Sequence, residues 1–197
     1  MDYIKQIEKH LKDSGGIITS LYCRENGIPT VYLSRLIEKG VLHRVDTGIY
    51  LTKNGDYDEF YFFQYKYSGS VFSYETALYL IGVTDKIIQV KDVTVSSNYK
   101  FNKTPVGVHV HYVKKEWFEL GVTVVKTTYG NSVRAYSYER TICDFILHKE
   151  NMDPESYVKL LRGYSSYKHK NVHMLYEIAA KMGIASEVRD IMEVLYE

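Results

Sequence analysis

Cysteine, proline and long apolar runs are scarce in this chain. Its 197 residues include 3 prolines and 2 cysteines, Cys23 and Cys143, which are far apart in the sequence. Two isolated cysteines exclude the disulfide framework of a small secreted domain and predict reduced thiols in a cytoplasmic protein. No apolar run approaches about 18 residues, so we expect no membrane-spanning helix. The N-terminal segment is amphipathic and lacks the apolar centre of a signal peptide.

An excess of either charge is also missing, since 25 Lys and Arg face 24 Asp and Glu. Residues 1–56 carry 8 basic and 7 acidic side chains, which is too little net charge to hold DNA by bulk attraction. DNA binding by this part therefore needs individually placed contacts, supplied by two copies. Residues 86–170, in contrast, carry 14 basic and 8 acidic side chains. This basic middle favours nucleic acid or an acidic protein as a partner.

The segment 29–51 is the most informative part of the sequence, because it predicts a helix followed by a tight β-hairpin. Leu33, Leu36 and Ile37 recur at helical spacing and form one apolar face. Gly40 is placed to end the helix in the left-handed conformation. In the hairpin, Asp46-Thr47-Gly48 form a short turn whose glycine tolerates a positive φ.

A shorter helix and an edge strand precede this segment. Thr19 is placed to cap a helix over residues 19–26, and Ile17-Ile18 is predicted to pair with the hairpin. The order of helix, glycine turn, second helix and hairpin predicts a winged helix-turn-helix. The turn signal at 54–56 ends it, so we predict a DNA-binding domain over residues 1–55.

The side of the second helix that points away from Leu33 is the candidate DNA-reading surface. A recognition helix presents its N-terminal residues to base edges in the major groove, where hydroxyl, guanidinium and methyl groups distinguish the bases. Cationic side chains near the hairpin are placed to reach phosphates. The alternative is a small α/β packing module with ordinary surface residues here. The predicted DNA-binding residues are Thr30, Val31, Tyr32, Ser34, Arg35, Lys39 and Arg44.

Residues 56–197 predict a larger α+β domain. Helices are expected after Ser73 and Ser137, and more helices follow, one of them started by Asp153-Pro154. The predicted fold class is α+β, with an N-terminal winged helix-turn-helix and a mixed domain that has an antiparallel sheet and C-terminal helices. Alternating apolar residues indicate the strands of that sheet: 92–96, 106–113, 122–127 and 133–136.

The chain contains, in order, a predicted winged helix, SYETALYLIGVTD, a run of strands, SYERTICDFILHK and YVKLLRGY. In these motifs and their order it resembles the AbiEi antitoxins of bacterial abortive-infection toxin–antitoxin systems, over nearly its whole length. The resemblance implies that the N-terminal domain represses its own operon by binding inverted repeats in promoter DNA. It also implies that the C-terminal domain neutralises a toxin with a nucleotidyltransferase fold, with or without stable contact.

Carried over residue by residue, the resemblance places Thr30, Tyr32, Ser34 and Arg35 on the recognition helix and Arg44 on the wing. The wings of the family are often more basic at the tip than the Asp46-Thr47 of this chain. The basic middle supplies candidates for the antitoxin surface, although for any single one of them a solvated surface cation is the more common explanation. These candidates are Lys114, Lys115, Lys126, Arg134, Arg162, Lys168 and Lys170.

Signatures of catalysis and cofactor binding are weak. The sequence has no phosphate-binding glycine loop and no nucleophile elbow, so we expect neither enzyme activity nor a cofactor. His109 and His111 share one face of a predicted strand, but no obvious carboxylate or cysteine completes a metal site. An alternative function is a winged-helix transcriptional regulator whose C-terminal domain binds a ligand or forms oligomers. A third is an enzyme that docks through its winged helix.

Overall fold

A computed structural model describes residues 2–101, 103, 105–151 and 154–196. The chain forms two compact units, one of Met1–Lys66 with Lys126–Val133 and the other of Tyr67–Val125 with Arg134–Glu197. The architecture is mixed α+β, as predicted, with a three-stranded and a five-stranded sheet. Residues 56–66 are part of the first unit, and the division into domains after residue 55 stays a prediction. Of the predicted helix start at Asp153-Pro154, Asp153 lies outside the described residues.

The first unit is built from short elements whose ends agree with the predicted caps and turns. Thr19 Oγ1 accepts a hydrogen bond from the Tyr22 N–H at 3.1 Å. Gly40 and Gly48 have φ of 69° and 75°, the left-handed conformation that favours glycine. The elements are α1 (Tyr3–Asp13), β1 (Ile17–Thr19), α2 (Ser20–Glu25), α3 (Val31–Glu38), β2 (Leu42–Asp46), β3 (Ile49–Thr52) and α4 (Glu59–Lys66).

Strands β1, β3 and β2 form an antiparallel sheet, in that order, which has a packed core on each face. Successive residues of a strand point to opposite faces. Ile18 packs with residues of α1, α2 and α3, whereas Ile17 packs with Ile49, Leu51 and Phe62, the last of which lies on α4. The sheet therefore fixes α3 on one face and is covered by α4 on the other.

The rest of the chain supplies five strands and six α-helices among the described residues. A 3-10 turn, Lys149–Asn151, follows α7. The strands are β4 (Ser70–Phe72), β5 (Lys91–Ser96), β6 (Val108–Val113), β7 (Val122–Lys126) and β8 (Ser132–Tyr136). The helices are α5 (Tyr74–Leu80), α6 (Lys115–Phe118), α7 (Tyr138–Leu147), α8 (Pro154–Ser166), α9 (Val172–Met182) and α10 (Ala185–Tyr196).

The five-stranded sheet is mixed, so the prediction of one antiparallel sheet is wrong. Its order is β6-β5-β4-β8-β7. Strand β4 is antiparallel to β5, but β5 is parallel to β6 and β4 is parallel to β8. Alternating apolar residues show which side chains face a core but carry no information on strand direction. Direction depends on how the chain enters each strand, and β6 begins beside the start of β5.

The central strand β4 is absent from the sequence prediction. Ser70, Val71 and Phe72 are all fully buried, so the strand shows no alternation of buried and exposed residues. In the sequence these residues read as the segment that leads into the helix after Ser73. Tyr74, the first residue of α5, has a φ of 46°, which is unusual for a residue with a large side chain. No helix within the described part of the chain is long and apolar enough to cross a membrane.

Candidate nucleic-acid interface

Helix α3 has one buried and one exposed side, as its spacing predicts. Leu33 and Leu36 are buried in the core of the first unit. Ile37, which the spacing assigned to the same face, is 37% exposed. The opposite side carries the exposed Val31 and Arg35, together with Ser34 and Lys39. Most of the predicted DNA-reading side chains therefore lie in solvent.

The N-terminal end of α3 leaves a hydroxyl group uncommitted. Thr30 is the N-cap residue, but its side chain makes no capping hydrogen bond. Backbone carbonyls accept hydrogen bonds from the first N–H groups of the helix instead. The Tyr32 N–H donates to Pro29 O at 3.1 Å, and the Leu33 N–H donates to Thr30 O at 3.0 Å. The exposed Thr30 hydroxyl is thus available to an external partner at the end of the helix that a major groove receives.

Tyr32 connects Arg35 to the core. The guanidinium carbon of Arg35 lies 5.3 Å from the centroid of the Tyr32 ring, within the range of a cation–π contact. The half-buried Tyr32 ring lies in turn 5.3 Å from the ring of Tyr3 and packs against the core of the first unit. Among the described residues, no carboxylate forms an ion pair with Arg35. Its N–H donors are therefore oriented by stacking and remain unpaired.

The hairpin turn carries an acidic residue whose charge is compensated within the first unit. Asp46 accepts hydrogen bonds from the Thr47 N–H at 2.6 Å and from Lys66 Nζ at 3.1 Å. The Thr47 N–H, with the Lys66 ammonium, holds the pKa of Asp46 below its ordinary value. Arg44 Nε donates to the Asp46 carbonyl at 3.2 Å, which directs this cation along the turn. Lys66 is 20 residues from Asp46 in the sequence, so local sequence does not show this compensation.

The same turn is held between two helices. The Ser20 N–H at the start of α2 donates to Gly48 O at 2.8 Å. A Cβ atom added to Gly48 would lie 2.6 Å from the Tyr65 hydroxyl on α4. The positive φ favours glycine at position 48, and any larger residue would also have to displace the Tyr65 hydroxyl. The hairpin is consequently a short, fixed element.

The basic residues predicted for the antitoxin surface fall into two groups. Arg134 donates to both carboxylate oxygens of Glu119 at 2.9 and 2.7 Å, and Lys170 donates to the Ser165 carbonyl while lying 5.2 Å from the ring of Tyr196. These two cations serve contacts within the fold. Lys114, which is exposed, lies 4.7 Å from the Trp117 ring. The exposed members of the set are Lys114, Lys115, Lys126, Arg162 and Lys168.

A fully buried ion pair in α7 is a feature that sequence spacing did not reveal. Arg140 Nε donates to Asp144 Oδ1 at 3.0 Å, and Arg140 Nη1 donates to the carbonyls of Trp117 and Leu120. The guanidinium also lies 4.1 Å from the Tyr136 ring. Burial raises the pKa of Asp144, and Arg140 opposes this shift. Removing either partner would leave an uncompensated buried charge, so the pair is a structural anchor for α6 and α7.

A cavity of about 1040 Å³ lies in the second unit beside β6. Asp92 on β5 accepts a hydrogen bond from His111 Nε2 at 2.9 Å, and His109 Nδ1 lies 3.7 Å from the same carboxylate. The His111 ring stacks on Tyr74, with 4.1 Å between centroids. Asp92 lies close to this histidine pair because parallel pairing places it opposite His109, a proximity that sequence spacing does not show. Apolar residues, among them Phe145, line the remaining walls.

The histidine pair nevertheless does not form a metal centre in the described residues, where no group of three or more His, Cys, Asp or Glu side chains is arranged to hold a metal ion. His169 precedes α9, and its ring lies edge-on to the ring of Tyr167. Cys23 and Cys143 are both free and buried.

No protein-family model matches the chain, and no curated protein matches it either. The assignment of a function therefore depends on the geometry of α3 and the hairpin, together with the motif resemblance.

Proposed function

We propose that the first unit is a winged helix-turn-helix that binds duplex DNA, with α3 as the recognition helix and the β2–β3 hairpin as the wing. The chain is then an antitoxin that represses its own operon. Helix α2, the Gly27 turn, helix α3 and the hairpin follow one another in the order that this motif requires. Both helices are packed on one face of the three-stranded sheet, which leaves the outer side of α3 exposed.

The observation that carries the proposal is the environment of Arg35. Arg35 stacks on Tyr32 and has no ion-pair partner among the described residues. A guanidinium with fixed direction and free donors suits bidentate hydrogen bonds to guanine O6 and N7. Thr30 and Ser34 add hydroxyl groups on the same exposed side, and Val31 adds a methyl surface for thymine.

The low net charge of the first unit favours binding of two copies of the chain to one DNA site. One first unit contributes few phosphate contacts, so non-specific affinity is weak and specific binding depends on two protomers on an inverted repeat. Each protomer then places α3 in the major groove of one half-site. Lys39 at the end of α3 and Arg44 on the wing lie in positions to contact phosphates, which fix register without reading sequence.

The antitoxin role depends on the resemblance to AbiEi antitoxins. In the second unit, the exposed cations Lys114, Lys115, Arg162 and Lys168 are the candidates for an acidic or nucleic-acid partner, while Arg134 and Lys170 are engaged inside the fold. Lys126 is exposed as well and belongs to the first unit. We assign no catalytic group and no cofactor to this role.

Two experiments test the proposal. Gel-shift titration with the DNA upstream of the gene should give a specific complex that unlabelled promoter DNA competes and scrambled DNA does not. Expression of the neighbouring gene alone should arrest growth, and co-expression of this chain should restore it. A specific complex without growth rescue would leave a repressor that is not an antitoxin. If neither a specific complex nor growth rescue is observed, both parts of the proposal are overturned.

The cavity beside β6 favours a second candidate, a winged-helix regulator controlled by a small ligand. A volume of about 1040 Å³ suits a small molecule, and the cavity combines apolar walls with the paired Asp92 and His111. Promoter binding that changes when a small-molecule extract is added, together with an absence of any toxic neighbouring gene, would favour this candidate over the antitoxin.

A further inference from the structure

Strand β6 ends the five-stranded sheet and leaves one of its edges open. It pairs with β5 over six residues in an unbroken parallel register, from Lys91 opposite Val108 to Ser96 opposite Val113. On the other side, no described strand pairs with it. An open edge presents unpaired N–H and C=O groups to any strand that can lie beside it.

The hydrogen bonds at the ends of the ladder show which residues of β6 face outward. Lys91 N–H donates to Gly107 O at 3.0 Å, and Ser97 N–H donates to Val113 O at 2.7 Å. Odd-numbered residues of β6 therefore direct their backbone groups toward β5. Because direction alternates along a strand, Val108, Val110 and Tyr112 direct both N–H and C=O toward the open edge. Six backbone groups thus lack a partner within the described structure.

Within the described strand itself, β6 has no lysine, proline or bulge to keep another strand away. Protected edges carry a lysine, a proline or a bulge, but β6 reads VHVHYV and its register with β5 is regular. Val108 and Val110 are half-buried and Tyr112 is 57% exposed. These three side chains share one face of the strand and His109 and His111 share the other, although Val110 and Tyr112 are also among the residues that line the cavity.

We propose that β6 pairs antiparallel with β6 of a second copy of this chain, so that two five-stranded sheets join into one continuous sheet. A two-fold axis perpendicular to the sheet, passing between the two Val110 residues, satisfies all the outward groups at once. Val110 then exchanges both hydrogen bonds with Val110 of the partner subunit, and Val108 pairs with Tyr112 of the partner subunit in both directions. The six outward groups of each copy are all paired in this register.

Side chains and charges agree with a second copy as the occupant. The register places valine beside valine and valine beside tyrosine on one face, pairs that stabilise antiparallel strands. The strand has no formally charged residue, so the two copies do not repel along it. Lys114 and Lys115 follow β6 directly, and the antiparallel arrangement puts those of the two copies at opposite ends of the new ribbon. An interface formed by one pair of six-residue strands is small, so we expect a weak dimer.

Substitutions at Val110 in the full-length chain test the pairing, because this position faces its own copy. Val110→Lys and Val110→Glu each place like charges directly opposite one another, so each variant should be monomeric where the wild type dimerises. An equimolar mixture of the two variants should dimerise again, since Lys then faces Glu. The measurement is sedimentation velocity over a concentration series from low micromolar to near-millimolar, at low ionic strength.

Val110→Pro gives a second, independent variant. It removes an outward N–H and leaves every hydrogen bond to β5 in place, because the Val110 N–H does not point to that strand. The dimer dissociation constant should rise about tenfold or more, as two symmetry-related bonds are lost, while the thermal unfolding curve stays cooperative. Val124→Pro on the other edge strand, β7, serves as the matched control and should leave dimerisation unchanged.

Three results would overturn the proposal. They are a wild type that is monomeric at every concentration, variants that dimerise as the wild type does, and a Lys and Glu mixture that stays monomeric although each variant is folded. None of these results depends on DNA binding or on a toxin, so this inference can fail or stand separately from the proposed function.

Discussion

Arg35 stacks on Tyr32, with 5.3 Å between the guanidinium carbon and the ring centroid, and Tyr32 is itself held by Tyr3 and the core of the first unit. This chain of contacts gives the long, exposed Arg35 side chain a packing partner in the absence of any ligand. An ordered arginine loses less conformational entropy when it binds. The DNA-binding proposal depends on this relationship more than on net charge.

Substitution of Arg35 should weaken specific DNA binding selectively. If Arg35 reads a guanine, Arg35→Ala should cost about 1–3 kcal/mol for the promoter site, and affinity for unrelated DNA should change much less. Fluorescence anisotropy at fixed salt measures both affinities. Lys181→Ala, an exposed cation on α9, is the matched control and should bind as the wild type does. Equal promoter affinity for both variants would remove Arg35 from base reading.

Loss of only one partner of the buried Arg140–Asp144 pair should strongly destabilise the fold. Asp144→Asn keeps the size of the side chain but leaves the guanidinium without a counter-charge, so the free energy of unfolding should fall by about 3–5 kcal/mol. The double variant Arg140→Met with Asp144→Leu removes both charges and should be more stable than Asp144→Asn alone. Urea unfolding measures these differences, and a single variant as stable as the wild type would refute the structural role.

The Asp46–Lys66 contact should produce a small loss of stability in acid. The hydrogen bonds that Asp46 accepts from the Thr47 N–H and from Lys66 lower its pKa in the folded state, so their stabilisation is complete above the unfolded value of about 3.9. It is lost as pH falls below that value. The two side chains are 43% and 55% exposed, which limits the effect to about 0–1 kcal/mol. Asp46→Asn should lose this pH dependence between about pH 5 and 2, as followed by thermal unfolding. If the stability of the wild type and of Asp46→Asn falls identically in acid, the role given to Asp46 is contradicted.

Both cysteines should be unreactive in the folded protein. Burial raises the pKa of Cys23 to about 11 and that of Cys143 to about 12, and the thiolate is the reactive form. Labelling with an iodoacetamide reagent at mildly alkaline pH should be slow in native buffer. It should reach both thiols in denaturant, as read by intact mass. Fast labelling of either thiol in native buffer would show that its burial is incomplete.

The sequence predicted elements well where a single residue determines a boundary. Thr19, Gly40 and Gly48 specify a cap, a helix end and a turn through local conformation, and the structure has all three. It did not predict β4, since a strand of three buried residues has no period. The parallel pairing of β5 and β6 was also missed, because strand direction has no signature in the local pattern of apolar residues.

The candidate sites divide in the same way. The exposed face of α3 follows from helical spacing, so its residues could be predicted, apart from the half-buried Tyr32 and the contact that orients Arg35. The pairing of Asp92 with His111 could not, because two residues 19 apart meet only through strand register. Similarly, the engagement of Arg134 with Glu119 needs the position of α6 beside β8, which no local pattern contains.

Chemical footprinting of the promoter complex tests the central claim most directly. Dimethyl sulfate methylates guanine N7 in the major groove, so α3 in the groove should protect guanines in both arms of an inverted repeat. Arg35→Ala should restore their methylation at protein concentrations that still saturate the DNA. Saturated promoter DNA with no protected guanine N7, or with the same protection in Arg35→Ala, would contradict the placement of α3 in the major groove.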